Sequence, residues 1–306
     1  MKAPASTPAP EAPPAPTVPA PRPWGRLIAV FVIQGVFLAI VLSLVARNPP
    51  PAWWIPGDGV DLPGAASAVS LRVARPDPLR GTQGVRGFAV EFFRLDGNEK
   101  ETSLGGTATG DDGVARIAWT APETPGLVRL GARAAAGSGA ARMVPIVRAV
   151  APAERPLVLV LVRGALRTVQ VPLGGGEERF AIRAGAKEAL ATLADEATIL
   201  YVATRGARAP DELRALLEEG GLPRGPLLYF PDAGDAETLG ERLAASGLEH
   251  WKERAWGVCP RVAEARAFVR AGLRAVVLGA DSTAGLPNVI AVSSWNGVAG
   301  AVLKRR

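Results

Sequence analysis

Arg163 and Gly164 follow six apolar residues, Leu157 to Val162, in the stretch LVLVLVRGALRT. Such a run has the composition of a buried parallel strand, and open α/β sheets collect their ligands at strand ends. The group offered there is a cation, which recognises phosphate or carboxylate but neither attacks nor relays protons. Thr204 and Arg205 close a second run, ATILYVATR, and Lys252 stands just ahead of a third, RAWGVC. Arg163, Arg205 and Lys252 would form an anion pocket if the fold gathered them. Asp281, with Ser282, lies past RAVVLGA and is a candidate cation ligand. One acid alone makes a weak Mg²⁺ site, and the pair also reads as a helix cap or turn.

Other chemistry-bearing residues have plainer readings. His250 is the sole histidine. By itself it signals neither a Ser-His-Asp arrangement nor a metal site, and it reads as a helix-end residue. Cys259 follows a strand and precedes Pro260, where a nucleophile could sit; a buried packing thiol is the alternative. It excludes an internal disulfide, and with no cysteine near the N-terminus a lipoprotein anchor is excluded too. Asp111 and Asp112 precede Gly113, and read as a turn rather than as calcium ligands, since Asp accepts hydrogen bonds from its own backbone two residues on. LGGGEERF, Leu173 to Phe180, lacks a Gly-Lys-Ser ending and reads as a hairpin turn.

Two kinds of periodicity must position these residues. From Val150 onward, strand-like LVLVLV, ATILYVAT, GPLLYF, RAWGVC, RAVVLGA and NVIAV alternate with helical stretches such as PDELRALLEEGG and RVAEARAFVRAGL. Pro210 and Asp211 open the first of those helices and Gly220 ends it. The alternation predicts an α/β domain over 151–306, a Rossmann-like parallel sheet with helices on both faces. Residues 66–150 differ: SAVSLRVA, GFAVEFFRL, GVARIAWTA, GLVRLGARA and RMVPIVRAV are short runs separated by Asp-Gly, Gly-Gly and Pro-Gly signals, which predicts an all-β sandwich.

Both regions resemble known families. TATGDDGVARIAW, followed by PETPGLVRLGARA, resembles the turn-and-strand signature of bacterial immunoglobulin-like repeats. Four landmarks in 155–306 resemble the haloacid dehalogenase (HAD) superfamily, in its phosphatidate-phosphatase and lipin-like branch: LVLVLVRGALRT, ILYVATRG with LLEEGGLPRGPLLYF, HWKERAW, and RAVVLGADSTAG. The resemblance implies an aspartate nucleophile, a second aspartate two residues later as acid and base, and Mg²⁺ between carboxylate oxygens. Laid on this sequence, the family's Asp-x-Asp-Gly-Thr-Leu falls on Leu161-Val162-Arg163-Gly164-Ala165-Leu166. Both aspartates are missing, and Arg163 places a permanent positive charge near the expected Mg²⁺. The second motif's hydroxyl falls on Ala203 or, one residue on, Thr204. Lys252 matches the lysine that grips phosphate in the family, though a lone lysine on a helix flank also reads as solvated. The resemblance therefore implies a HAD-like scaffold without its catalytic groups, working in binding or display. An active phosphohydrolase with a rearranged site around Asp281 and Lys252, which would need Mg²⁺, is the alternative, and a structural envelope spacer is a third.

The N-terminal part carries no candidate chemistry. Residues 1–23 hold nine prolines among Ala, Thr and Ser, a composition that stays extended as a tail. Leu27 to Ala46 is twenty residues without a charge, long enough as a helix to span about 30 Å of hydrocarbon. Trp24, Trp53 and Trp54 flank it at interface positions, so 24–47 is expected to be a transmembrane helix rather than a cleaved signal. Lys2, Arg22 and Arg26 precede it, whereas after Arg47 no cation occurs until Arg72 while Asp58 and Asp61 do, which orients the N-terminus to the cytoplasm. Residues 48–65 read as a Pro-rich linker, and the C-terminal domains as extracytoplasmic at a bacterial cytoplasmic membrane. Lys and Arg exceed Asp and Glu by 35 to 29, but no basic stripe with interleaved aromatics appears, which argues against nucleic acid. The partners expected are the membrane and a protein or anionic ligand.

Overall fold

The computed structural model describes residues 53–77, 81–96, 100–135, 143–170, 179–204, 209–280, 282–283 and 285–304. The tail and the apolar segment Leu27 to Ala46 lie outside them. Among the described residues no helix is long and apolar enough to cross a membrane.

The β region forms two sheets. One pairs β1 (Trp53–Pro56), β3 (Ala66–Asp77) and β4 (Gly81–Gly84) in that order, with β7 (Val114–Thr120) also on β3. The other runs β2 (Gly59–Asp61), β9 (Val144–Val150), β8 (Gly126–Ala134), β5 (Ala89–Leu95), β6 (Glu101–Ala108). Every pair is antiparallel except β2 with β9. Alternate residues of β3, Val69, Leu71 and Val73, are buried against Phe92, Leu130 and Ile146 in one apolar cluster, as a period of two requires. The Asp-Asp-Gly stretch is a turn in which Asp112 Oδ1 accepts from the Val114 amide at 2.9 Å and Oδ2 from Arg116 at 2.8 Å. Asp111 pairs with Arg86 at the surface.

Within the stretch expected as a linker, Trp53–Pro56 and Gly59–Asp61 are strands β1 and β2 of this unit. Their prolines and glycines conceal short edge strands, which tolerate both. Trp54, expected at a membrane interface, packs edge-on against Phe88, ring centroids 5.3 Å apart.

The second region is a six-stranded, all-parallel sheet ordered β14 (Leu227–Phe230), β13 (Thr198–Thr204), β10 (Leu157–Leu161), β15 (Ala255–Cys259), β16 (Arg274–Leu278), β17 (Val289–Val292). β10 and β15 are buried at every position, as a sheet covered on both faces demands. Two helix pairs cover it: α1 (Ala186–Glu196) packs on α5 (Trp295–Leu303), and α3 (Ala236–Ala244) on α4 (Val262–Arg270). A further helix, α2 (Pro210–Glu219), starts with Pro210 in its first turn, with Asp211 and Glu212 there too, and stops at Gly220. After β10 the chain inserts an antiparallel pair, β11 (Arg167–Gln170) and β12 (Arg179–Ile182). The expected hairpin turn falls between them, largely outside the described residues.

The two regions share a core. Ile55, Val60, Ala74, Ala149 and Ala151 belong to the same apolar cluster as the α/β strands, and residues 51–306 group as one compact unit. Asp58 supplies the polar part of the joint. Its carboxylate is wholly buried. Oδ1 accepts from the Val147 amide at 2.9 Å and from Arg214 on α2 at 2.7 Å. Oδ2 accepts from the Leu227 amide at 2.7 Å and from Arg214 at 2.8 Å. Asp61, one turn of strand away, takes both oxygens to Arg148 at 2.5 and 2.8 Å and a bond from the Trp119 indole at 3.2 Å. A Cβ at Gly59, between them, would stand 2.6 Å from the Arg148 guanidinium and push it off Asp61. Trp251 adds an indole hydrogen bond to the Pro152 carbonyl at 3.1 Å.

Candidate functional site

The strand ends of the α/β sheet are the expected place for chemistry, and β10 lies at their centre. Its exit, Val162–Leu166, is an irregular turn: Arg163 is extended (φ −75°, ψ 121°) and Gly164 left-handed at φ +82°. Gly164 is required twice over, because a Cβ there would also lie 2.8 Å from the Pro260 ring. Leu161, Ala165 and Leu166 are buried. The Trp295 indole donates to the Ala165 carbonyl at 3.0 Å, and the Arg183 amide to the Leu166 carbonyl at 2.9 Å. The turn is thus closed by packing, and its last two carbonyls are occupied.

The residues singled out in the sequence are distributed as follows. Arg163 is exposed at this turn. Thr204 is half-buried at the end of the adjacent strand β13, with Ala203 buried beside it. Arg205 and Asp281 lie outside the described residues. Lys252 is not brought to this end. It precedes β15, which runs parallel to β10, so roughly 16 Å of strand lies between it and the β10 exit. Its stem lies over Gly272, at the entry to β16. Strand direction is the physical reason: a residue ahead of a parallel strand sits at the end opposite one that follows its neighbour.

Cys259 ends β15 and is buried. Burial, reinforced by the Glu264 charge, pushes its thiol up to about 12. It is a protonated packing group in contact with the carbonyls of Arg261 and Val276, not a nucleophile. His250 is exposed on a short turn, edge-on to Trp251.

Several residues at the sheet ends escaped the sequence reading. Glu264, in the first turn of α4, is buried and joined to Arg261 through Oε1, while Oε2 has no partner. Asp232, past β14, pairs with Arg242, and Asp235 caps α3 by accepting from the Thr238 amide at 2.8 Å. Ser293 and Ser294 lead into α5, a helix the sequence reading did not draw although serine before an apolar run is an N-cap signal. With Ile182, Arg183, Leu278 and Trp295 they line an open cavity of about 520 Å³.

The described residues do not fit a magnesium ion at the β10 exit. Its first position is a buried hydrocarbon, its third a guanidinium, and the carboxylate of Glu264 already serves Arg261. Mg²⁺ takes hard oxygen ligands in near-octahedral array. Among the described residues no group of three or more His, Cys, Asp or Glu side chains is placed to hold a metal.

No protein-family model matches the chain, and no curated protein does. Solved structures similar to it over about half its length are HAD-like phosphatases. One is the cobalt-bound deoxy-D-mannose-octulosonate 8-phosphate phosphatase of Haemophilus influenzae: 11% identity, 50% of this chain and 89% of that one, TM-score 0.36. Another is the 3-deoxy-D-manno-octulosonate 8-phosphate phosphatase of Moraxella catarrhalis, with 15% identity, 49% and 86% coverage and a TM-score of 0.34. Invasin, a bacterial integrin-binding protein, matches 38% of this chain and 23% of its own, at 18% identity and TM-score 0.22.

Proposed function

We propose that this chain is a single-pass envelope protein whose HAD-like domain binds or displays rather than hydrolyses. One observation carries the proposal: the turn after β10 is packed shut around Leu161, Ala165 and Leu166, with a guanidinium in place of the acid. In-line attack on phosphorus by a carboxylate requires an anionic oxygen at that strand end and a hard cation beside it. Leu161 has neither oxygen nor proton to give. Asp58 joins the β unit to the α/β domain through Arg214 and the Leu227 amide, so the two regions would be displayed together. We place that hold in Leu27 to Ala46, with the N-terminus cytoplasmic. Resistance of the full chain to extraction from membranes by alkaline carbonate supports the anchor, and complete release contradicts it.

The catalytic question has a direct test. The full chain in detergent, given Mg²⁺ and a chromogenic phosphate monoester, is expected to release no phosphate above a protein-free blank. Turnover that disappears on Asp281→Asn, or on Glu264→Gln, overturns the proposal in favour of a rearranged hydrolase site.

A further inference from the structure

The cavity beside α5 has the chemistry of an anion site. Arg183 lines it, and its Nε is sealed from solvent with no hydrogen-bond partner. That nitrogen faces protein, so what Arg183 offers the cavity is its charge and its terminal nitrogens, and no carboxylate among the described residues pairs with this half-buried guanidinium. Ser293 and Ser294 supply two more hydroxyls on the same wall. Ser294 occupies the N-cap of α5, yet its side chain makes no capping bond. The first turn of α5 carries no acid, and among the described residues no carboxylate lines the cavity. The floor and sides are Ile182, Leu278 and Trp295. Trp295 is itself fixed, its indole bonded to the Ala165 carbonyl.

We propose that this cavity binds a small organic oxyanion, a phosphate monoester or carboxylate, through Arg183, Ser293 and Ser294. The guanidinium and hydroxyls take the anionic head, and the apolar walls take a short organic part. A planar guanidinium with flanking hydroxyls matches an oxyanion's geometry. Its volume lies within the range of small-ligand sites, and its place past the ends of β16 and β17 is where open sheets collect ligands. The residues differ from Arg163, Thr204, Arg205 and Lys252. The inference deepens the binding reading above, on which it rests only for the absence of turnover.

The test is phosphorus-31 NMR line broadening of inorganic phosphate by the full chain in detergent, with glycerol phosphate and acetate as further probes. Wild-type protein is expected to broaden the phosphate resonance saturably and to melt at higher temperature in its presence. Arg183→Gln is expected to weaken binding at least about tenfold, the equivalent of one charge-assisted hydrogen bond, and to lose the melting shift. Ser294→Ala, at a position with no capping bond to lose, gives the same direction with a smaller change and serves if Arg183→Gln does not fold. Acetate competing with phosphate supports a general oxyanion site. The proposal is overturned if no probe binds, or if binding survives both substitutions and vanishes with Arg163→Gln. Release of phosphate from glycerol phosphate sinks the non-catalytic reading while leaving the cavity proposal standing; absent binding does the reverse.

Discussion

The joint at Asp58 and the exit of β10 are opposite solutions for burying a loop. At the joint, a carboxylate with no solvent exposure has a donor for each lone pair it needs, drawn from β9, β14 and α2. At the β10 exit the buried side chains are hydrocarbon, and the one charged group, Arg163, points its residue to solvent. Buried charge is tolerated only where it is matched. The difference teaches what lets an acid be buried: Asp58 is matched by donors from both regions it holds together, whereas the turn after β10 is closed with hydrocarbon and holds no acid.

The largest effect that should break this contrast is Asp58→Ala. It strands the Arg214 guanidinium and two amides, and is expected to cost about 3–5 kcal/mol in urea unfolding; a loss under about 1 kcal/mol would mean the joint is solvated. Leu161→Ala removes packing without touching a polar group, and is expected to cost about 2–5 kcal/mol by the same measurement. Gly164→Ala, forced to a positive φ against Pro260, is expected to cost about 1–3 kcal/mol. Smallest is Arg163→Gln, which at an exposed position should stay within about 0.5 kcal/mol.

Acidity separates Asp58 at the joint from Asp61 beside it. Burial raises Asp58 above its ordinary value of 3.8, against the pull of Arg214 and the two amides. Asp61 is depressed below 3.8 because the hydrogen bonds and charge of Arg148 together outweigh the opposing effect of its burial. A raised acid holds its proton more tightly in the folded state, so its contribution falls as pH rises from 3.8 towards the folded value. A depressed acid contributes above 3.8 and loses that contribution as pH falls towards its folded value. Asp61→Asn should therefore flatten the stability profile below about pH 4, and Asp58→Asn just above it, both read by thermal melting across pH. Matching profiles in the two variants would contradict the assignment.

Much of the sheet was legible in the sequence because its strands are continuous apolar runs, and full burial on both faces leaves that imprint whatever the partners are. β1 and β2 were not legible. Their prolines, glycines and paired tryptophans look like a spacer next to an apolar span, and only pairing with β3 and β9 makes them strands. Asp58 and Asp61 counted merely as loop charges, since their hydrogen-bond donors lie 58 to 169 residues away. Lys252 was misplaced for a reason of direction: spacing in a parallel sheet does not tell which end a residue occupies until the strand that follows it is known. α5 was hidden by its glycines, and with it Ser293, Ser294 and the cavity they share with Arg183.

The most direct measurement is intact-mass spectrometry of the full chain after incubation with acetyl phosphate and Mg²⁺. With hydrocarbon at 161 and a closed turn beyond it, the protein is expected to gain no phosphoryl adduct. An acid-stable, hydroxylamine-labile adduct mapping to Asp281, or to any carboxylate at the strand ends, would contradict the account.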